Sequence, residues 1–157
     1  LEQNNPEIEF KTYSQRLTQD NALDIIWDFD LVIDGTDNLE TRHVINRACA
    51  TTGEAFIYGA VNLFDGQLSV FQASQGPCLA CVFPQIPQVA QEKSLEHLAV
   101  LNTLPAVVGA LQAAEAIKMI SGLGKPLIGK LLIYNALNAT FEQVEIHKNL
   151  ACPVCVA

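Results

Sequence analysis

The chain has 157 residues, half of them hydrophobic and 17% charged, which is the composition of a folded domain and not of a disordered segment. Its formal net charge of -8 argues against nucleic acid or an anionic membrane surface as the main partner, because displacing phosphate counterions takes Lys and Arg. No apolar run reaches the roughly 20 residues that span a bilayer, and the opening "LEQNNPEIEF" has neither the basic nor the apolar region of a signal peptide.

The chain does not start with Met, which leads us to expect a piece of a longer or processed protein. Five cysteines without a secretory signal point to a reducing compartment, the cytoplasm. Paired cysteines there serve as metal ligands or redox groups more often than as structural disulfides.

In chain order, "IEFKTYSQRL" (8–17) alternates as a strand would, and "QDNALDIIWD" (19–28) reads as a short helix. "DLVIDGTDN" (30–38) is a short apolar run that ends in polar residues. That pattern predicts a strand buried on both faces of a parallel sheet, with Asp34 to Asn38 at its carboxyl end, where open α/β sheets bind ligands. "LETRHVINRACATT" (39–52) predicts a helix with Val44, Ile45, Ala48 and Cys49 on its apolar stripe. Asp37 or Asn38 would cap its start and Gly53 its end. "AFIYGAV" (55–61) is a further strand, and Asp65-Gly66 between apolar runs signals a hairpin into a strand that includes Leu68 and Val70.

Residues 83–93, with two prolines, read as a surface loop. "LPAVVGALQAAEAIKMISGLGKP" (104–126) predicts a helix that opens on Pro105 and closes on Gly122. It is apolar nearly all round, which predicts burial. "LIGKLLIYNA" (127–136) and "TFEQVEIH" (140–147) close the series as two strands. The sum is an α/β core joined to an antiparallel edge.

Four of the five cysteines form two Cys-x-x-Cys pairs, Cys78 with Cys81 and Cys152 with Cys155. Each such turn aims two thiolates at one ion, and two turns complete a tetrahedral shell, a closed structural zinc site. A thioredoxin-like redox pair needs only one such motif, and disulfides suit an oxidising compartment, so the spacing favours zinc. Cys49, on a helical apolar stripe, reads as a small buried residue.

The turn "DGTDN" has two readings. It caps the next helix, which spacing alone favours, or Asp37 holds Mg²⁺ beside a phosphate, since Mg²⁺ takes one or two carboxylates plus substrate oxygens. Arg42 would pair with a carboxylate or a phosphate, and His43 beside it is expected to face solvent.

Several stretches together resemble one family: "DLVIDGTDNLETRHVIN", "GAVNLFDGQLSVF", "GPCLACVFP", "VVGALQAAEAIKMISGLGKPLIGKLLIYNA" and "CPVC". They are similar to the ThiF/MoeB/HesA group, bacterial relatives of ubiquitin-activating enzymes, over nearly the whole chain. The MoeB type, which serves molybdopterin synthase, is the nearer likeness and the thiamin type the next. The resemblance implies a Rossmann-like fold and MgATP-dependent adenylation of the C-terminal Gly-Gly carboxylate of a ubiquitin-like sulfur carrier. It implies that Asp37 and Asn38 belong to the nucleotide site, with Asp37 near Mg²⁺, that Cys78, Cys81, Cys152 and Cys155 bind structural zinc, and that the protein is a homodimer.

Two departures shape the expectation. The family's Gly-rich loop lies N-terminal to this region and no G-x-G-x-x-G occurs here, so residues 1–157 read as the C-terminal part of a single domain. By itself this part would bind ATP poorly and catalyse nothing. In the crossover loop "QEKSLEHLAVLNT", Leu95 stands where many members carry a cysteine, which argues against a covalent step through that loop. The alternative, from a different functional class, is a non-catalytic zinc-stapled module that binds a carrier protein.

Overall fold

The computed structural model describes residues 3–84 and 99–156. Five strands form one sheet in chain order: β1 (Leu31–Ile33), β2 (Ala55–Asn62), β3 (Asp65–Phe71), β4 (Lys130–Asn135) and β5 (Thr140–Glu145). β1 and β2 run parallel and the remaining neighbours antiparallel, the expected mixed sheet with an antiparallel side. Among the described residues the helices are α1 (Ala22–Ile26), α2 (Leu39–Thr52), α3 (Leu79–Val82) and α4 (Leu104–Ser121).

Strand alternation sends side chains to two faces, and each face has its own core. On one, Phe56, Tyr58, Phe71 and Leu131 meet Ala22 and Ile26 of α1 and Val44, Ile45, Ala48 and Cys49 of α2. On the other, Ile57, Leu68, Val70 and Leu132 meet Ala116 of α4 and Leu127. The result is a helix–sheet–helix sandwich.

α2 matches its predicted bounds because both caps are written in the sequence. Asn38 Oδ1 accepts from the Thr41 N–H at 2.8 Å, and Gly53 closes the helix at φ 86°. The capping residue is therefore Asn38, which leaves the Asp37 carboxylate uncommitted to the helix.

Four expectations are corrected. Residues 8–17 form no strand, since no neighbour pairs with them. β1 is not buried on both faces: among the described residues it is the sheet edge, paired only with β2, and Ile33 is 52% exposed. The β2–β3 hairpin turns at Leu63-Phe64, because Asn62 pairs with Asp65. Asp65 and Gly66 already belong to β3, where a Cβ on Gly66 would lie 2.7 Å from Val108 of α4. α4 is apolar nearly all round, yet among the described residues it packs by one face, with Ile120 79% exposed, because a sheet covers a single side of a helix.

By length and composition α4 is also long and apolar enough to cross a membrane. Here it lies across β2 and β3, and its buried Gln112 and Glu115 are engaged inside the fold.

Candidate functional site

The turn after β1 is held by the Asp34 carboxylate, which no local pattern in the sequence marks out. Asp34 is 1% exposed. Its Oδ1 accepts from the Thr36 N–H at 2.8 Å and from Thr36 Oγ1 at 2.6 Å, and its Oδ2 accepts from Arg42 Nε at 2.8 Å. Arg42 Nη2 also donates to the carbonyls of Thr36 at 2.6 Å and Gly59 at 3.0 Å, and the guanidinium lies 5.2 Å from the Tyr58 ring centre. Arg42 therefore pairs with a carboxylate of its own chain, and one cation welds β1, the turn, α2 and β2 together.

From the other face, Gln112 of α4 donates through Nε2 to the Asp34 carbonyl at 2.7 Å and the Ile57 carbonyl at 3.2 Å. That amide fits only because residue 59 is glycine: a Cβ there would come within 2.5 Å of the Gln112 side chain.

Asp37 is displayed at the end of this lock. It is exposed, and its one hydrogen bond among the described residues is from Asn38 Nδ2 to Oδ1 at 3.1 Å. The structure thus sets the two predicted nucleotide-site residues side by side, at the carboxyl end of a parallel strand and the start of a helix.

His43 departs from expectation. It is 6% exposed and lies under the fold, not in solvent. Its Nε2 has no hydrogen-bond partner among the described atoms, and burial, with Arg47 nearby, lowers its pKa. Position 43 lies one residue before the apolar pair Val44-Ile45, on the side of α2 that turns inward. Leu95 lies outside the described residues.

The two cysteine pairs converge. Cys78 Sγ lies 3.8 Å from Cys81 Sγ and 3.6 Å from Cys152 Sγ, and Cys81 Sγ lies 3.4 Å from Cys155 Sγ. All four sulfurs fall within 4.8 Å of one another. Thiolates about 2.3 Å from one tetrahedral zinc ion sit about 3.8 Å apart, so the donor set and its span fit a single ion.

Burial pushes the Cys78 thiol up, opposed chiefly by the Cys81 backbone. Burial also pushes Cys152 up, but the Val154 and Cys155 backbone and the neighbouring thiols outweigh it and bring this thiol down to about 7. Cys155 is pushed up, by burial first and then by the sulfurs around it. Sulfurs this close resist joint ionisation unless a cation shares the charge. Cys49 is separate, a buried thiol that burial pushes up to about 12.

A Rossmann-like mixed α/β sheet with a four-thiol cluster able to hold a metal ion defines the class of fold. Residues 1–154 match the ThiF family, and the chain belongs to that family. It is 44% identical to the sulfur carrier protein adenylyltransferase of Thermus thermophilus over 96% of this chain and 58% of that relative. It is 35% identical to the SAMP-activating enzyme E1 of Haloferax volcanii, over 96% of this chain and 56% of that one. With the adenylyltransferase and sulfurtransferase MOCS3 of Aedes aegypti it shares 37% identity over 99% of this chain and 36% of that one. The chain thus spans from about a third to somewhat over half of these relatives. Among solved structures, E. coli MccB with succinimide superposes at a TM-score of 0.79, with 15% identity, over 99% of this chain and 48% of that one, a likeness of fold.

Proposed function

We propose that this chain is the carrier-side part of an adenylyltransferase that activates the C-terminal Gly-Gly carboxylate of a ubiquitin-like sulfur carrier. The observation that carries the reading is the exposed Asp37, held at the carboxyl end of β1 by an Asp34–Arg42 pair that is itself engaged within the fold. The names of the relatives from Thermus thermophilus and Haloferax volcanii point the same way.

In this reading the carrier carboxylate attacks the α-phosphorus of ATP, an acyl-adenylate forms and pyrophosphate leaves. Asp37, with Oδ2 free of partners among the described residues, would hold Mg²⁺; Asn38 fixes Asp37 and the first turn of α2. When bound there, the cation would supply charge neutralisation at the phosphate oxygens. Asp34, Arg42 and Gln112 do no chemistry; they keep the turn from moving, which matters because such transfers are catalysed largely by positioning.

Cys78, Cys81, Cys152 and Cys155 hold one structural zinc ion, which ties the segment after β3 to the segment after β5. The open edge of β1 and the exposed side of α4 are surfaces for the rest of the enzyme and for a second copy in a homodimer. Molybdopterin synthesis is the preferred setting, thiamin synthesis the next, and the cytoplasm the location.

The test is ATP–pyrophosphate exchange by the full-length protein with a Gly-Gly-ending carrier. Carrier-dependent exchange supports the reading. No exchange from folded, zinc-loaded protein with molybdopterin-type or thiamin-type carriers overturns it, in favour of a non-catalytic module that docks a carrier.

A further inference from the structure

Asn46 lies on the third turn of α2, 2% exposed. Its Oδ1 accepts from the backbone N–H of Leu79 at 2.8 Å, the residue next to Cys78. A backbone N–H can be met only by the amide oxygen, so this bond fixes which end of the side chain is nitrogen. The Nδ2 group is then buried without a hydrogen-bond partner among the described residues. A donor in that position is one that native structures seldom leave unused.

The chemistry beside it is sulfur. The Asn46 side chain is held one residue from Cys78 by its bond to Leu79, and Cys78 Sγ lies 3.6 Å from Cys152 Sγ. A thiol is a weak acceptor, but a metal-bound thiolate is a strong one. Four thiolates around one divalent ion leave two negative charges in excess, in a cluster where Cys78 and Cys152 are almost fully buried. Such charge calls for N–H donors. The Asn46 Nδ2, buried and unpartnered among the described residues beside Cys78 and Leu79, is such a donor.

We propose that Asn46 is the positioning residue of the four-cysteine metal site, its Oδ1 fixing the backbone at Leu79 and its Nδ2 donating to the Cys78 thiolate when a metal ion is bound. The donor without a partner thus belongs to a site completed by the ion. This inference rests on the reading of the cysteine cluster as a metal site, and it adds a residue outside the Cys-x-x-Cys pairs.

The test uses the full chain loaded separately with zinc, cobalt and an NMR-active cadmium isotope. Asn46→Asp keeps an acceptor for Leu79 and removes the donor; Asn46→Leu removes both. We expect a side-chain amide proton of Asn46 in the cadmium-loaded wild type to exchange slowly and to show scalar coupling to the metal. We expect zinc to leave Asn46→Asp for a chelator about 10–100-fold faster than it leaves the wild type, and the sulfur-to-cobalt charge-transfer band to shift.

A residue that only packs would lower the melting temperature without giving the coupling or moving the band. Absence of the coupling in cadmium-loaded wild type overturns the inference, and this measurement decides alone if the variants do not fold. An unchanged release rate from folded Asn46→Asp overturns it as well. Wild type that takes up none of the three metals overturns both the inference and the metal reading beneath it.

Discussion

Arg42 Nε lies 2.8 Å from Asp34 Oδ2, with the Asp34 side chain fully buried and that of Arg42 nearly so. Removing one partner of a buried ion pair leaves the other charge without compensation, at a cost of about 3–5 kcal/mol. Arg42→Leu is expected to lose stability of that order in urea unfolding. Arg42→Lys should lose a large part of it too, since a single ammonium cannot reach Asp34 and the Thr36 and Gly59 carbonyls with a planar fork. A Lys variant as stable as wild type would show that the fork geometry is dispensable.

Gly59→Ala sets a Cβ within 2.5 Å of Gln112, which cannot retreat without releasing the Asp34 and Ile57 carbonyls. Overpacking of this kind costs typically about 1–3 kcal/mol. The midpoint of urea unfolding should fall accordingly, and Gln112→Ala should relieve the clash and make the two substitutions non-additive in a double-mutant cycle.

His43 titrates lower in the folded chain than in the unfolded one, because burial disfavours its charged form. As pH falls through the unfolded value of about 6.5, the unfolded state takes up the proton first. The contribution of the neutral imidazole is therefore complete above that pH and is lost on acidification toward the folded value. His43→Leu should flatten the decline in stability as pH falls below about 6.5, relative to wild type. Parallel curves for the two proteins would contradict this.

Complete removal of metal should lower the melting temperature and loosen the segment that carries Cys152 and Cys155. Thiol titration supplies a second reading. Chelation should expose the four clustered thiols to reagent, while Cys49, pushed up to about 12 by burial, reacts only on unfolding. A melting curve unmoved by full metal removal would count against a structural ion.

In the full-length protein, Asp37→Ala should cut carrier-dependent ATP–pyrophosphate exchange by about 100-fold or more, with metal content and melting temperature retained. Asp37 has no part in the core, so wild-type exchange in that variant would remove it from the site.

The sequence carried its message wherever a signal was local. Asn38 and Gly53 bracket α2 because capping is settled within one turn of helix, and Leu104–Ser121 opens and closes on Pro105 and Gly122 for the same reason. The paired cysteines declared a common target because Cys-x-x-Cys is itself a local geometry. The β2–β3 hairpin was legible but displaced, since Asp65-Gly66 resembles a turn while Gly66 actually makes room for Val108.

What the tertiary structure decided is everything that depends on a distant neighbour. Whether α4 is buried depends on how much of it the sheet covers, and periodicity cannot say that when nearly every side is apolar. Whether β1 is an edge depends on what pairs with it, and residues 8–17 alternate without becoming a strand for want of a partner. The burial of His43, the Asp34–Arg42 lock, the Gln112 bridge to two carbonyls and the Asn46 amide at Leu79 all join residues that carry no mutual pattern along the chain. By itself the sequence determined the types of chemistry present, a carboxylate turn and four thiols. Only the folded chain decided which carboxylate is spent on structure and which is left free, because a hydrogen bond is satisfied in space and not in sequence.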